Sequence, residues 1–269
     1  MTNPMAVPGN TATFWNSLEM RLACGQTGFS LLEVTLAVFL SVILMSGITG
    51  LMGSSVSAYR QQLGQGRLEE SSRFAHEILT SHISQAGYQP APWLNPAGVE
   101  AVTAESVNGS LKPGDQLGLQ RWSDRNCYGS ENPVLDATGR PAFHLLQVRF
   151  RVNSSNNLAM TCRYGPDAAD MTTQFNNFGL VENVESMQVL YARDSDGDGV
   201  ADGWVKAGDW SQERQVLAVK VAMLFVSDRV FSRAGAAKVT LLDETITTPA
   251  DGRLRSVSTL MTAIRGRLQ

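Results

Sequence analysis

The stretch of sequence that decides the fold runs from Gly28 to Met52 and reads GFSLLEVTLAVFLSVILMSGITGLM. From Phe29 onward it carries one charged side chain, Glu33. A helix of this length spans about 36 Å, and the hydrocarbon core of a bilayer is about 30 Å thick. The sequence therefore predicts a membrane-spanning helix over residues 29–53.

A cleaved secretory signal is the alternative interpretation, since Val56-Ser57-Ala58 resembles a signal peptidase site. Two features argue against it. The apolar stretch is longer than the usual signal core of about 7 to 15 residues. In addition, a glutamate near its start is costly in lipid unless another group pairs with it. Both features favour a retained anchor in which Glu33 has a specific role.

The residues Gly28-Phe29-Ser30-Leu31-Leu32-Glu33-Val34 resemble the cleavage and methylation motif of type IV prepilins. The resemblance implies that prepilin peptidase cuts between Gly28 and Phe29 and then methylates the new amino terminus. It also implies that the Glu33 carboxylate meets the N-terminal ammonium of a neighbouring subunit during filament assembly. A glycine before the cut keeps the scissile backbone accessible. Residues 1–28 are then a leader.

This leader departs from the family pattern in length and in charge. It is long where such leaders are short, and Thr27 stands where a lysine or arginine is common. Translation from Met20 would give the short leader MRLACGQTG, so we expect the start to lie later than Met1. We expect an inner-membrane span with a periplasmic C-terminal domain. The positive-inside rule gives little support to this orientation, because Arg60 and Arg67 follow the apolar segment. The predicted orientation therefore rests on the motif.

Residues 54–88 predict an amphipathic continuation of the same helix. One apolar stripe has the spacing of a helix face and comprises Phe74, Ile78, Leu79 and Ile83. Gly87 suits a helix stop. Several glycines lower helix propensity by about 1 kcal/mol each relative to alanine, which predicts a bend or local melting; they are Gly47, Gly50, Gly53, Gly64 and Gly66.

Residues 89–269 predict a mainly β domain. Alternating apolar residues indicate a hairpin whose strands turn at 153–157; its apolar positions are Leu146, Val148, Phe150, Val152, Leu158, Met160, Cys162 and Tyr164. Further strands are predicted at 187–192, 215–226 and 253–264, the second almost wholly apolar and therefore central in its sheet. The predicted fold class is α+β, with the long N-terminal helix packed on a mainly antiparallel sheet, as in pilins.

An acidic loop between two of these strands resembles a calcium loop. Asp194, Asp196, Asp198 and Asp202 occupy positions 1, 3, 5 and 9, and Gly197 and Gly199 lie among them. Val200 would offer its carbonyl oxygen. Hard oxygen ligands favour calcium, but position 12 is Val205 and not the bidentate glutamate of an EF-hand. The alternative is a solvated turn, and Glu182, Glu185 and Asp209 are candidates to complete a calcium shell.

Cys127 and Cys162 lie in the predicted β domain and match no zinc spacing. Outside the cytoplasm they are expected to form one disulfide, worth roughly 3 to 4 kcal/mol by the loop-entropy model. The alternative is two buried free thiols.

The sequence offers no support for an enzyme or a nucleic-acid binder. It lacks Walker, GxSxG, HExxH and GxGxxG motifs, and its three histidines have no partners at a supporting spacing. The formal net charge is -3 and the basic residues do not cluster, which argues against nucleic-acid binding.

Across the chain the sequence is similar to PilW-type minor pilins of the type IV pilus. The similarity rests on the N-terminal motif, the Arg73–Tyr88 stretch, the Asp/Gly loop and the run Asp251-Gly252-Arg253-Leu254-Arg255. It implies a non-enzymatic subunit that helps to prime pilus assembly and sits at the tip of the pilus. Its implied partners are other minor pilins, the major pilin, prepilin peptidase, the inner membrane and the assembly platform.

Two other functions stay open at the level of sequence. A J-type pseudopilin of type II secretion shares this N-terminus and a mainly β head. A pilus-tip adhesin would differ in phenotype, because its loss abolishes attachment without changing the number of pili.

Overall fold

The computed structural model describes residues 28–91, 99–210, 212, 215–231 and 235–267. The predicted leader up to residue 27 and the alternative start Met20 lie outside the described residues. The chain divides into two compact units, Met1–Gly53 and Ser54–Gln269. A single helix, α1 (Leu31–Gln85), begins in the first unit and ends in the second.

The described part of the first unit is the apolar portion of α1. Its side chains are exposed, and α1 is long and apolar enough to cross a membrane by length and composition. Its hydroxyl groups donate to carbonyls of the helix itself, as from Thr35 to Leu32 at 2.9 Å and from Ser41 to Ala37 at 2.6 Å. These bonds satisfy the hydroxyl protons without water, as a lipid environment requires.

In the second unit one face of α1 is buried against the β domain. Leu68, Ala75, Leu79 and Ile83 are buried, at spacings typical of one helix face. Ile78 is partly buried, whereas Phe74, which the sequence placed in the same stripe, is 50% exposed. α1 therefore buries a narrower stripe than the sequence predicted.

The glycines do not interrupt α1, which is helical without a break from Leu31 to Gln85. The predicted local melting is therefore absent from this structure. Gly87 follows with φ 77°, the left-handed conformation in which glycine ends helices. Its N–H donates to the carbonyl of Gln120 at 2.8 Å, which fixes the helix end against the first strand.

The first sheet is antiparallel and has the order β1-β2-β3-β4. Its strands are β1 (Leu117–Ser123), β2 (His144–Val152), β3 (Leu158–Gly165) and β4 (Thr172–Val181). The predicted hairpin is confirmed, because β2 and β3 pair in register from Leu145 opposite Gly165 to Val152 opposite Leu158.

The second sheet is also antiparallel and has the order β10-β7-β5-β6. Its strands are β5 (Val184–Arg193), β6 (Gly203–Val205), β7 (Val216–Val230) and β10 (Arg253–Ala263). The apolar strand β7 lies between two neighbours, which confirms its predicted central position. A separate hairpin consists of β8 (Lys238–Leu241) and β9 (Glu244–Thr247).

One hydrophobic core joins the second-unit part of α1 to both sheets. Its fully buried side chains include Leu79, Ile83, Phe150, Tyr191 and Phe225. The chain passes from the first sheet to the second at Asn183, whose φ of 62° makes a tight turn between β4 and β5. The predicted α+β fold, a long helix packed on antiparallel strands, is confirmed, although the strands form two principal sheets.

Candidate functional site

The motif residues Gly28 and Phe29 lie just before the first turn of α1. Gly28 is exposed, and a side chain built there would meet no atom within 4 Å in the described structure. Phe29 is 85% exposed. The peptide bond between them therefore lies in an open, non-helical segment, which is the kind of backbone that a peptidase can bind.

Ser30 and Glu33 form a capping box at the start of α1. The Ser30 hydroxyl accepts a hydrogen bond from the Leu32 N–H at 3.3 Å, and the Glu33 carboxylate accepts one from the Ser30 N–H at 3.1 Å. These bonds satisfy two backbone donors that the first turn of a helix leaves free. The Ser-x-x-Glu spacing was visible in the sequence, but its capping role was missed there.

The acidic loop joins β5 to β6 and has the conformation of successive tight turns. Gly197 and Gly199 adopt φ of 83° and 84°, which glycine tolerates best. The carboxylates of Asp194, Asp196 and Asp202 converge, with one oxygen from each lying within 4.8 Å of the others. Oxygen ligands in this arrangement fit a hard cation such as calcium.

Asp198 is not part of this convergent group of carboxylates. The Asp198 carboxylate accepts the Val200 N–H at 2.7 Å, and the Val200 side chain is 63% exposed. Of the residues proposed to complete the shell, Glu185 is held by Arg255 and Lys112. The structure thus brings together three of the four predicted aspartates.

The loop holds these carboxylates with its own hydrogen bonds. Desolvation raises the pKa of Asp194, but the N–H groups of Gly197 and Gly199, at 2.7 and 3.0 Å, outweigh it and leave that pKa below its usual value. The hydroxyl and N–H of Ser195 lower the pKa of Asp202. Both groups are ionised at neutral pH, and they carry negative charge into the centre of the loop.

Cys127 and Cys162 are joined by a disulfide, with their Cα atoms 6.1 Å apart. Cys162 lies in β3 and is buried, whereas Cys127 lies in the loop between β1 and β2. The Cys127 N–H donates to the side-chain oxygen of Gln174 in β4 at 2.8 Å. The disulfide and this bond together tie the loop to the edge of the first sheet.

The three histidines lie apart from one another. His82 on α1 packs edge to face on Phe150, with ring centroids 5.3 Å apart. His76 contacts the Ser258 hydroxyl at 3.0 Å, and His144 lies beside the Tyr164 ring. None of these contacts joins a histidine to a carboxylate and a nucleophile in the described part of the chain.

A largely buried ionic cluster links β5 to β10 across the intervening β7, at one end of the second sheet. The Arg255 guanidinium donates to both oxygens of Glu185, at 2.9 and 3.0 Å, and to the Asp251 carboxylate at 2.7 Å. The Arg255 and Glu185 side chains are only 8% and 11% exposed. The sequence carried no signal for this pairing, because the two residues are 70 positions apart.

Comparison with known families gives a match over residues 149–266, to the model described as PilW, Type IV Pilus-assembly protein W. This part of the chain resembles the PilW family. The matched segment contains both the acidic loop and the Arg255 cluster. It begins within β2, so the N-terminal motif lies outside it.

Comparison with solved structures gives a type IV-like pilin from Thermus thermophilus. The two chains are 17% identical with a TM-score of 0.50, and the match covers 74% of this chain and 96% of that one. At this identity the likeness bears on the fold alone. A search of curated proteins finds no match.

The PilW match and the pilin-like fold confirm the family resemblance drawn from the sequence. They support a pilus-related role for the chain. The apolar part of α1 is compatible with a single membrane anchor.

Proposed function

We propose that this protein is a non-enzymatic minor pilin that helps to prime and assemble the type IV pilus. The match of residues 149–266 to the PilW family is the observation that carries this proposal. The pilin-like fold and the exposed apolar helix are consistent with it. In this role the protein acts at the pilus tip, together with other minor pilins, the major pilin and the assembly platform.

The proposal includes processing at the N-terminus. Prepilin peptidase cuts between Gly28 and Phe29 and methylates the amino group of Phe29, while α1 holds the chain in the inner membrane and the β domain is periplasmic. The open backbone at Gly28 supports the cut. Glu33 then pairs with the ammonium group of a neighbouring subunit, so that each charge is compensated within the filament.

The first experiment measures the N-terminal mass of the mature protein in cells with and without prepilin peptidase. We expect an N-methylated Phe29 that depends on the peptidase. An uncut chain in peptidase-positive cells, or a chain that starts at Tyr59 after signal peptidase cleavage, would contradict the processing proposal.

The second experiment deletes the gene together with its paralogues and counts surface pili. The priming role predicts that pili are lost and that the wild-type gene restores them. Normal pili with reduced attachment would instead identify a tip adhesin. Normal pili with impaired type II secretion would identify a J-type pseudopilin.

We further propose that the acidic loop binds calcium through Asp194, Asp196 and Asp202, with Asp198 and the Val200 carbonyl as additional ligands. The convergence of three carboxylates supports this proposal. A bound cation would screen their mutual repulsion and hold the β5–β6 connection in one conformation. Its role is structural.

Calorimetric titration of calcium into the full chain in a non-ionic detergent tests this site. We expect heat of binding and a higher melting temperature for the wild type, and neither for the double variant Asp196→Asn/Asp202→Asn. The matched control Asp167→Asn/Asp170→Asn removes the same charge from another exposed loop and should behave as the wild type. No heat and no melting shift at millimolar calcium in the wild type would refute the site.

A further inference from the structure

Two arginines lie side by side on the outer face of the first sheet. Along β2, Leu146, Val148, Phe150 and Val152 are buried in the core, so the alternating residues Arg149 and Arg151 point to the opposite face. Both arginines are partly buried. At positions i and i+2 of one strand, their Cα atoms are about 7 Å apart.

The neighbours of these arginines on adjacent strands are small. Arg149 lies opposite Gly118 on β1 and Thr161 on β3. Arg151 lies opposite Ala159, and Gly179 follows on β4. None of these four cross-strand neighbours has a long or charged side chain.

Neither guanidinium has a partner among the residues that the structure describes. The Nε atoms of Arg149 and Arg151 are buried and make no hydrogen bond, and neither side chain forms an ion pair there. Asn177, whose N–H donates to Thr161 at 3.2 Å, also has a buried side-chain oxygen without a partner. Three of the six unsatisfied buried side-chain atoms in the described chain thus belong to this group.

Three other arginines of the domain are paired with acids. On the same face, Arg163 forms an ion pair with Glu105. Arg125 pairs with Glu131 at 3.0 Å, and Arg255 pairs with Glu185 and Asp251. A partly buried guanidinium without an anion carries a desolvation cost, and the buried Nε atoms of Arg149 and Arg151 have no hydrogen bond to offset it. Arg149 and Arg151, by contrast, have no anion among the residues that the structure describes.

We infer that the face around Arg149 and Arg151 docks an acidic segment of another protein. A guanidinium binds a carboxylate through two parallel N–H donors, and two arginines with Cα atoms about 7 Å apart match two separate carboxylates better than one small anion. Glutamates one turn apart on a helix have Cβ atoms about 6 Å apart and fit this spacing. The unpaired oxygen of Asn177 provides an acceptor for a donor of the same segment.

Fluorescence anisotropy tests this surface with the full chain in non-ionic detergent. The probe is a labelled alanine-based helical peptide with two glutamates one turn apart, and the same peptide with glutamines is the reference. We expect the glutamate peptide to bind and the glutamine peptide not to bind. The variant Arg149→Gln/Arg151→Gln should weaken binding roughly tenfold or more, because two charge-assisted pairs are lost.

The control Arg140→Gln/Arg229→Gln removes the same charge at two exposed positions and should keep the wild-type affinity to within about twofold. If the glutamine variant does not fold, Arg149→Lys/Arg151→Lys retains the charge but loses the planar fork, and we expect it to bind roughly threefold more weakly. Equal binding by the arginine variants and the control would overturn the inference. So would full displacement of the peptide by inorganic phosphate at matched ionic strength, which would indicate a small-anion site.

Discussion

Glu33 illustrates how one residue serves both the folded chain and its proposed assembly. One of its carboxylate oxygens accepts the Ser30 N–H and caps α1. A carboxylate has capacity for about four hydrogen bonds, so the other oxygen stays available for the ammonium group of a neighbouring subunit. The cap therefore orients the group on which the proposed filament contact depends, and the two roles do not compete.

The buried side chain of His82 should make the stability of the protein depend on pH. Burial, and secondly the nearby positive charge of Arg121, lower the pKa of His82 to about 4 from its usual value of 6.5. Below pH 6.5 the unfolded chain gains a proton at this residue that the folded chain does not. The free energy of unfolding should therefore fall as the pH decreases from 6.5 towards 4.

Urea unfolding of the full chain in detergent, at several pH values in this range, measures the effect. His82→Gln should flatten the dependence, because glutamine does not titrate. The control His144→Gln changes the same residue type elsewhere and should retain the wild-type slope. An unchanged slope in His82→Gln would show that another group is responsible.

At the scale of elements, two glycines of α1, Gly64 and Gly66, differ in their surroundings. A Cβ atom added at Gly64 would lie 2.7 Å from the ring of Phe231 and 3.2 Å from the side chain of Leu254. A Cβ atom at Gly66 would meet nothing within 4 Å. Gly64 therefore permits close packing of the helix on the β domain, whereas Gly66 only lowers helix propensity.

These two glycines give a matched pair of variants. Gly66→Ala should raise the free energy of unfolding by about 1 kcal/mol, the difference in helix propensity between the two residues. Gly64→Ala has the same propensity gain but must displace Phe231, so its net gain should be smaller or negative. Urea unfolding of both variants against the wild type checks this, and equal gains would show that Gly64 has no packing role.

At the scale of the whole molecule, the hydrophobic core lies entirely within the second unit. The buried residues of the main cluster in the described chain run from Leu68 to Ile264. We therefore expect residues 54–269 to fold in water without the apolar start of α1. Cooperative thermal unfolding followed by circular dichroism, without detergent, is the measurement.

A shorter fragment, residues 88–269, provides the contrasting case. It lacks the whole of α1 and with it Leu68, Leu79 and Ile83, each of which fills part of the core. Removal of one buried leucine or isoleucine side chain typically costs about 2 to 5 kcal/mol, and a domain has only about 5 to 15 kcal/mol of stability. We therefore expect this fragment not to fold. Cooperative unfolding of the fragment would contradict this and show that the fold does not need α1.

Features that reside in one segment were predictable from the sequence. The apolar run of α1 has a length and composition that predict a helix able to cross a membrane, and the alternation in β2 and β3 predicts a hairpin. The acidic loop was visible from its spacing, and α1 ends at Gln85, two residues before the predicted helix stop Gly87. In each case the conformation of the segment is determined by residues within that segment.

Features that depend on distant segments were decided by the tertiary structure. Which glycine lies against Phe231 and which acid pairs with Arg255 both depend on how strands and helix are brought together. The same holds for Arg149 and Arg151, which the sequence shows only as polar positions of an alternating strand. Their lack of a partner becomes visible once β1 and β3 place small residues beside them, because side-chain contacts across a sheet are set by register and not by sequence proximity.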